Sequence, residues 1–484
     1  MTGPAKSYGE ILRSSALIGG SQVVVIAIGI LRTKAMAVLL GPAGFGLLAL
    51  FNSIVDLAAS LASLGVERSG VRQIAESVGS GDDARIARTA AVLRRISIVL
   101  GAVGAVALVA ASPVVSKVTF GTEGYAWGVA LLGLAVLFKV VAGGQAALIQ
   151  GLRRISDLAM LGIAGALLGT LLGIALVYLL GERGIAPSVV AVAAATLAAS
   201  WWYSRRARTG APALSGAEFR EESLALVKLG FAFMASGFLM IGAAYAVRTM
   251  VIRLEGLEAA GFYQAAWTLG GLYVGMVLQA MGADFYPRLT AVIGEHPTVN
   301  RLVNEQTRVS LLLAGPGVIA TLALAPFLMT LFYSSEFAAA TDVLRWFCLG
   351  MTLRVITWPI GYIIVAKGLQ GIFFATELAW ATFNVAISWF CIQRFGVPGA
   401  GIAFLLSYLF HWLLIYPIVR RLTGFAWTPT NLLTGAACIG LVGLTFAAEQ
   451  WLPAGPALGA GLLILLVSGL ASLYVLASLV PAEE

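Results

Sequence analysis

Charged side chains interrupt long apolar runs at only a few places, and those residues set the chemistry open to the chain. The cations are Arg32, Lys34, Lys139, Arg248, Arg345 and Arg354; the acids are Asp56, Asp284 and Glu377. An ionisable group at the centre of a bilayer costs about 2.5–3.5 kcal/mol even on the lenient insertion scale, so such groups face a cavity or one another. Cations outnumber acids in this set. A cleft with that excess suits an anionic cargo such as a phosphate or pyrophosphate group. The acids would neutralise some of the cations or bind a coupling ion. The competing reading is that the charges pair off as buried salt bridges that lock helices together. Arg345, with Asp342 one turn earlier, fits that second reading well.

Other chemistries find little support. There is no Walker A pattern, so no P-loop ATPase, and no HExxH. Cys348, Cys391 and Cys438 share no metal-ligand spacing and read as small apolar packing residues. His296 falls in a polar loop and is expected to be solvated. His411 lies in an apolar run between Phe410 and Trp412 and suits a hydrogen-bonded structural histidine better than a proton relay. Trp267, Tyr273 and Trp358 sit deep enough to stack on sugar rings, but core packing is the more ordinary role for each.

The elements that must position these residues are membrane helices. Apolar residues make up 60% of the 484 and charged residues only 11%, against about 25% charged in soluble proteins. Runs of ~20 apolar residues fill nearly the whole chain, and about fourteen helices can be read from them. The first run, from about Ile11 to Leu40, is too long for a signal-peptide core and reads as a membrane helix. Gly41-Pro42 looks like a stop and a restart, with glycine ending one helix and proline opening the next. The expected fold is an all-α polytopic membrane protein with two six-helix pseudo-symmetric lobes plus two C-terminal helices.

The lobes follow from an internal repeat. Arg32-Thr33 and Ala43-Gly44-Phe45 recur, at a nearly constant offset, as Arg248-Thr249 and Ala260-Gly261-Phe262. Gly151-Leu152 and Ile155 recur as Gly368-Leu369 and Ile372, and Arg205-Arg206 as Arg420-Arg421. A period this long suggests two halves of one transporter-like body. The expected divisions are 1–206, a cytoplasmic linker at 207–223, 224–422, and an appended helix pair at 423–484. Under the repeat Arg32 corresponds to Arg248, and the helix of Lys139 to that of Arg354, which would gather cations around one cleft.

Charge distribution gives the orientation. Most of the 31 basic residues fall in segments on one side, among them Lys6, Arg13, Arg153, Arg154, Arg205, Arg206, Arg208, Arg420 and Arg421. Few fall on the other, where Lys117, Arg183, Arg253 and Arg394 lie. This imbalance places both termini in the cytoplasm and explains the net charge of +8 without any nucleic-acid partner. Two polar segments carry cap signals: Asp82 or Asp83 ahead of a basic amphipathic stretch, and Ser215 with Glu218 at capping-box spacing.

Gly41-Pro42-Ala43-Gly44-Phe45-Gly46, then Gly65-Val66 leading to Gln73-Ile74-Ala75-Glu76, resemble the first helix pair of Wzx-type O-antigen and enterobacterial common antigen translocases. Gly361-Tyr362-Ile363-Ile364-Val365-Ala366-Lys367, continuing to Glu377, is similar to their tenth and eleventh helices. These translocases form the polysaccharide transporter branch of the multidrug/oligosaccharidyl-lipid/polysaccharide exporter superfamily. Members often stop at twelve helices, and the extra pair here departs from that pattern. The resemblance implies a flippase that moves an undecaprenyl-pyrophosphate-linked oligosaccharide across the inner membrane by alternating access, for O-antigen and lipopolysaccharide biosynthesis or export of a related glycan. It implies no enzyme activity and no cofactor, with coupling to a proton or sodium gradient open. Partners would be the lipid-linked oligosaccharide, membrane lipids and a glycan polymerase complex. The family's cationic cavity carries over to Arg32 or Lys34, Lys139, Arg248 and Arg354, with Asp56, Asp284 and Glu377 as charge partners or ion ligands. Two rivals stay open: a cation-coupled drug or solute antiporter, for which Asp56 would be essential, and a non-transporting scaffold.

Overall fold

The computed structural model describes the backbone at 4–207, 210 and 215–479, and side chains from Gly19 onward except at 232, 233, 235, 236 and 283. The side chains of Lys6 and Arg13, all of Arg208 and part of the expected linker lie outside the described residues. Among the described residues the fold is all α. Counted by length and apolarity, ten helices among the described residues can cross a membrane, or eleven if one bent pair is a single span. That is fewer than the fourteen expected. Two of the ten are long enough for more than one pass, at 45 and 51 residues, since ~20 residues suffice.

The first of these belongs to α1 (Pro4–Ser63), whose 60 residues are broken at Gly41, where φ is 61° and ψ −176°. Only glycine reaches that conformation cheaply, and Pro42 then opens the second segment, as expected. The second contains α5 (Ile155–Leu180) and α6 (Ile185–Arg205), separated by a 3₁₀ turn at Gly181–Gly184. Between them in sequence lie α2 (Val66–Ser80), α3 (Asp83–Phe120) and α4 (Ala126–Gly151). Asp82 caps α3 by accepting from the Arg85 amide at 2.8 Å. Glu218 and Ser215 form the expected reciprocal box at the start of α7 (Gly216–Glu255).

The chain divides into two compact units, Met1–Tyr245 and Ala246–Glu484, so the boundary falls inside α7. In the first unit α4 packs on α3 and α6, and α1 on α4 and α5. Its core at one end joins Ile74, Val92, Leu93 and Leu148 to Leu226 of α7.

The second unit continues with α8 (Leu257–Ala291), α9 (His296–Ala323), α10 (Ala325–Phe332), α11 (Ala340–Ala366), α12 (Gln370–Phe395), α13 (Pro398–Thr423), α14 (Pro429–Trp451) and α15 (Ala454–Leu479). The α9 and α10 axes meet at 81°, because Pro326 sits in the first turn of α10 and cannot carry the α9 ladder onward. The C-terminal pair packs within this unit, α14 and α15 on α9 and α14 also on α11. Trp267 lies among Tyr263, Phe347 and Phe404, and Trp358 against Phe285 and Tyr362. Both therefore pack in the core, and Tyr273 donates to the Leu313 carbonyl at 2.9 Å.

Candidate functional site

A charged cavity opens in the first unit. The second segment of α1 presents Asp56, Ala59, Ser60 and Ser63 along one face, as helical spacing dictates. The chain then turns through Leu64 and Gly65, both left-handed at φ 46° and 70°. The turn can close because α7 approaches it backbone to backbone. A Cβ on Gly65 would overlap the Gly230 carbonyl, and Ser69 of α2 donates to the Leu226 carbonyl at 2.8 Å. Past the turn, α2 supplies Glu67 and Arg68 in its first turn, and α4 supplies Lys139. Met234, Gly237 and Ile241 of α7 complete the walls of a cavity of about 350 Å³.

Its charges differ in exposure. Lys139 pairs with Asp56, and each side chain is about half exposed, 48% and 50%. An ion pair so open to water is worth about 0–1 kcal/mol, so an incoming anion can compete for the lysine. Glu67 is more enclosed. Its carboxylate rests on the bare backbone of Gly143, one turn beyond Lys139, where any Cβ would overlap it. Burial pushes the Glu67 carboxyl above its usual range, while Lys139 and Arg68 pull it back. The cavity thus holds acids and bases in equal number, with Ser60 and Ser63 as further hydrogen-bonding groups. It can bind a polar head by exchanging internal ion pairs for contacts to the ligand.

The other expected site residues fall elsewhere. Arg32 and Lys34 lie on α1 before the Gly41 break and do not line this cavity. In the second unit Arg248 donates from Nε to Gln264 at 2.9 Å, and Gln264 donates on to Thr268. Arg354 and Glu377 both lie within electrostatic reach of the Tyr408 phenol. Asp284 bonds Arg288 at 3.0 Å along the exposed face of α8. Arg345 meets Asp342, as expected, and also Glu449 of α14 at 2.5 Å. His411 is packed near Trp380 and Tyr408, but among the described residues its buried Nδ1 has no hydrogen-bond partner, unlike the hydrogen-bonded histidine expected. The exposed His296 lies 3.0 Å from the Lys367 ammonium.

Sequence reasoning brought Lys139 and Asp56 forward but missed Glu67, Arg68, Gln264 and Glu449. The one available signal for Glu67 was an acid two residues past a glycine at a helix end. Among the described residues no group of three or more His, Cys, Asp or Glu side chains could hold a metal ion.

The fold is that of the polytopic membrane proteins of the multidrug/oligosaccharidyl-lipid/polysaccharide exporter type. The lipid II flippase MurJ in an inward closed conformation superposes with a TM-score of 0.66 at 12% identity, covering 97% of this chain and 100% of that one. An inward-facing multidrug transporter of the MATE family superposes at 0.65 and 16% identity, covering 82% and 95%. The lipid III flippases of Escherichia coli K12 and Shigella flexneri are each 23% identical over 428 residues, 83% of this chain and 96% of theirs. Residues 35–342 match the family described as polysaccharide biosynthesis protein, and the chain belongs to that family.

Proposed function

We propose that the protein is a transporter, not an enzyme: a flippase for lipid-linked oligosaccharide. In detail it would move an undecaprenyl-pyrophosphate-linked O-antigen or related surface-glycan unit across the inner membrane by alternating access, with both termini cytoplasmic. The observation that carries this reading is the alignment with two lipid III flippases over 96% of their length. The cavity of the first unit supports it, since Lys139 and Arg68 can receive the anionic head while the lipid tail stays in the bilayer. Arg32, Lys34, Arg248 and Arg354 remain proposed cargo contacts. No cofactor is required; a proton or sodium gradient would drive the cycle, and a glycan polymerase complex is a proposed partner. The acids Asp56 and Glu67 in the same cavity favour one rival, a cation-coupled antiporter for drugs or solutes.

Mass spectrometry of lipid extracts from cells lacking the protein, with the glycan pathway otherwise intact and no second flippase present, separates the two. Build-up of a polyprenyl-pyrophosphate oligosaccharide, cleared by restoring the wild-type chain, is the expected result. An unchanged lipid-linked sugar pool, together with gradient-driven efflux in vesicles, would establish the antiporter instead.

A further inference from the structure

At one end of the first unit, α5 and α6 carry a cluster of arginines and aromatic rings that no transport step uses. Three aromatics run together at the end of α6, Trp201, Trp202 and Tyr203, and the two tryptophans are 51% and 57% exposed. Arg205 lies with its guanidinium 4.5 Å over the Trp201 ring, one helical turn back. Arg206 covers Tyr203 at 4.9 Å and Trp202 at 5.8 Å. The turn between α4 and α5 adds Arg153 and Arg154 to the same end of the unit. Asp157 joins the two segments, accepting from Arg154 at 2.6 Å and lying 3.9 Å from Arg206. A single carboxylate thus serves Arg154 and Arg206, and among the described residues no ion pair reaches Arg153 or Arg205. Arg153 is exposed and held at φ 55°, in the left-handed region.

We propose that this cluster is a binding site for the phosphate of an anionic phospholipid from the surrounding leaflet. The stacking explains why the site is more than a patch of charge. An arginine lying flat on an indole is partly pre-ordered, and its planar edge of N–H donors stays open for bidentate contact with a phosphate. Exposed tryptophans at a helix end sit at headgroup depth, where a lipid phosphate lies. Basic residues at such a surface attract anionic lipids. The occupant is the bilayer's own phospholipid and not the cargo, because the cluster stands apart from the residues that line the charged cavity.

The internal repeat supplies a control. Arg420 and Arg421 lie in the last turn of α13 as Arg205 and Arg206 lie at the end of α6, all four are exposed, and among the described residues no ring lies under Arg420 or Arg421. The test uses the full-length protein delipidated in detergent and titrated with phosphatidylglycerol or phosphatidylcholine, with bound lipid counted by native mass spectrometry. Wild type is expected to retain phosphatidylglycerol in preference to phosphatidylcholine. R153Q/R205Q is expected to weaken phosphatidylglycerol binding severalfold more than R420Q/R421Q, whose arginines offer charge alone at roughly fivefold each. Equal losses from the two pairs would show general charge attraction and overturn the site, as would full retention by R153Q/R205Q. Should R153Q/R205Q fail to fold, W201L keeps every arginine and removes one stacking ring. Part of the lipid preference is then expected to disappear, and an unchanged preference counts against the proposal.

Discussion

Among the ion pairs that join separate helices, two differ sharply in exposure. Lys139 and Asp56 tie α4 to α1 and are each about half exposed. Arg345 and Glu449 tie α11 to α14, and their side chains are only 13% and 6% exposed. The first pair faces a cavity of about 350 Å³. The second is largely buried, although Arg345 also reaches the exposed Asp342 at 3.1 Å. A charge in reach of water can be handed from its partner to a ligand at little cost. A buried one cannot, because removing its partner leaves it uncompensated in a medium of low dielectric. Two chemically similar pairs therefore differ in what they permit, an exchangeable contact in one unit and a structural fastening in the other.

The fastening is reinforced at the opposite end of α14. Asn304 of α9 accepts from the Thr428 amide at 3.0 Å and donates to the Ala426 carbonyl at 3.1 Å. Asn431 of α14 donates back to the Asn304 carbonyl at 2.7 Å. The C-terminal helix pair is thus held to the second unit by polar contacts at both ends of α14, not by apolar packing alone.

The largest expected effect comes from breaking the buried pair. Arg345→Leu, which strands the buried Glu449, should destabilise the purified protein by about 3–5 kcal/mol, whereas Glu449→Leu costs less because Arg345 keeps Asp342, and the double replacement recovers most of the larger loss. Thermal unfolding in detergent reads both, and two single variants as stable as wild type would remove the distinction between the pairs. Next is Gly143→Ala. The new methyl must push aside the Glu67 carboxylate, the far end of a flexible side chain, at a cost of up to about 1 kcal/mol, and G143A/E67G should relieve it. At the cavity, Lys139→Ala is expected to abolish lipid-linked oligosaccharide export with protein level intact, while Asp56→Asn changes stability by less than about 1 kcal/mol. Normal export by Lys139→Ala would show that the exposed pair is also merely structural.

The smallest effect is a pH dependence. Burial raises the folded pKa of Glu67 above its unfolded value, so the folded state holds the proton longer than the unfolded state does. Stability should then fall as pH rises from the ordinary carboxylate range through the raised folded value. Glu67→Gln, which has no proton to lose, should flatten that slope when unfolding temperature is followed from about pH 4 to pH 7. An identical slope in both proteins would mean that Glu67 is not the titrating group.

Sequence alone settled what depends on near neighbours. Apolar runs and sparse charge required membrane helices, Gly41-Pro42 marked the break in α1, and the Ser215–Glu218 box and the Asp82 cap follow from spacings of three residues. Arg345 with Asp342 was legible for the same reason, one helical turn carrying one into reach of the other. The intramembrane charges could be picked out as a set, but not sorted. Whether Lys139 meets Asp56, whether Glu67 finds a seat on Gly143, and whether Arg345 also finds Glu449 are decided by how separate helices pack. Periodicity fixes which face of a helix a residue occupies but not which helix lies opposite. Only the tertiary structure brings such residues together, and its local exposure then determines which charges can be exchanged and which are locked.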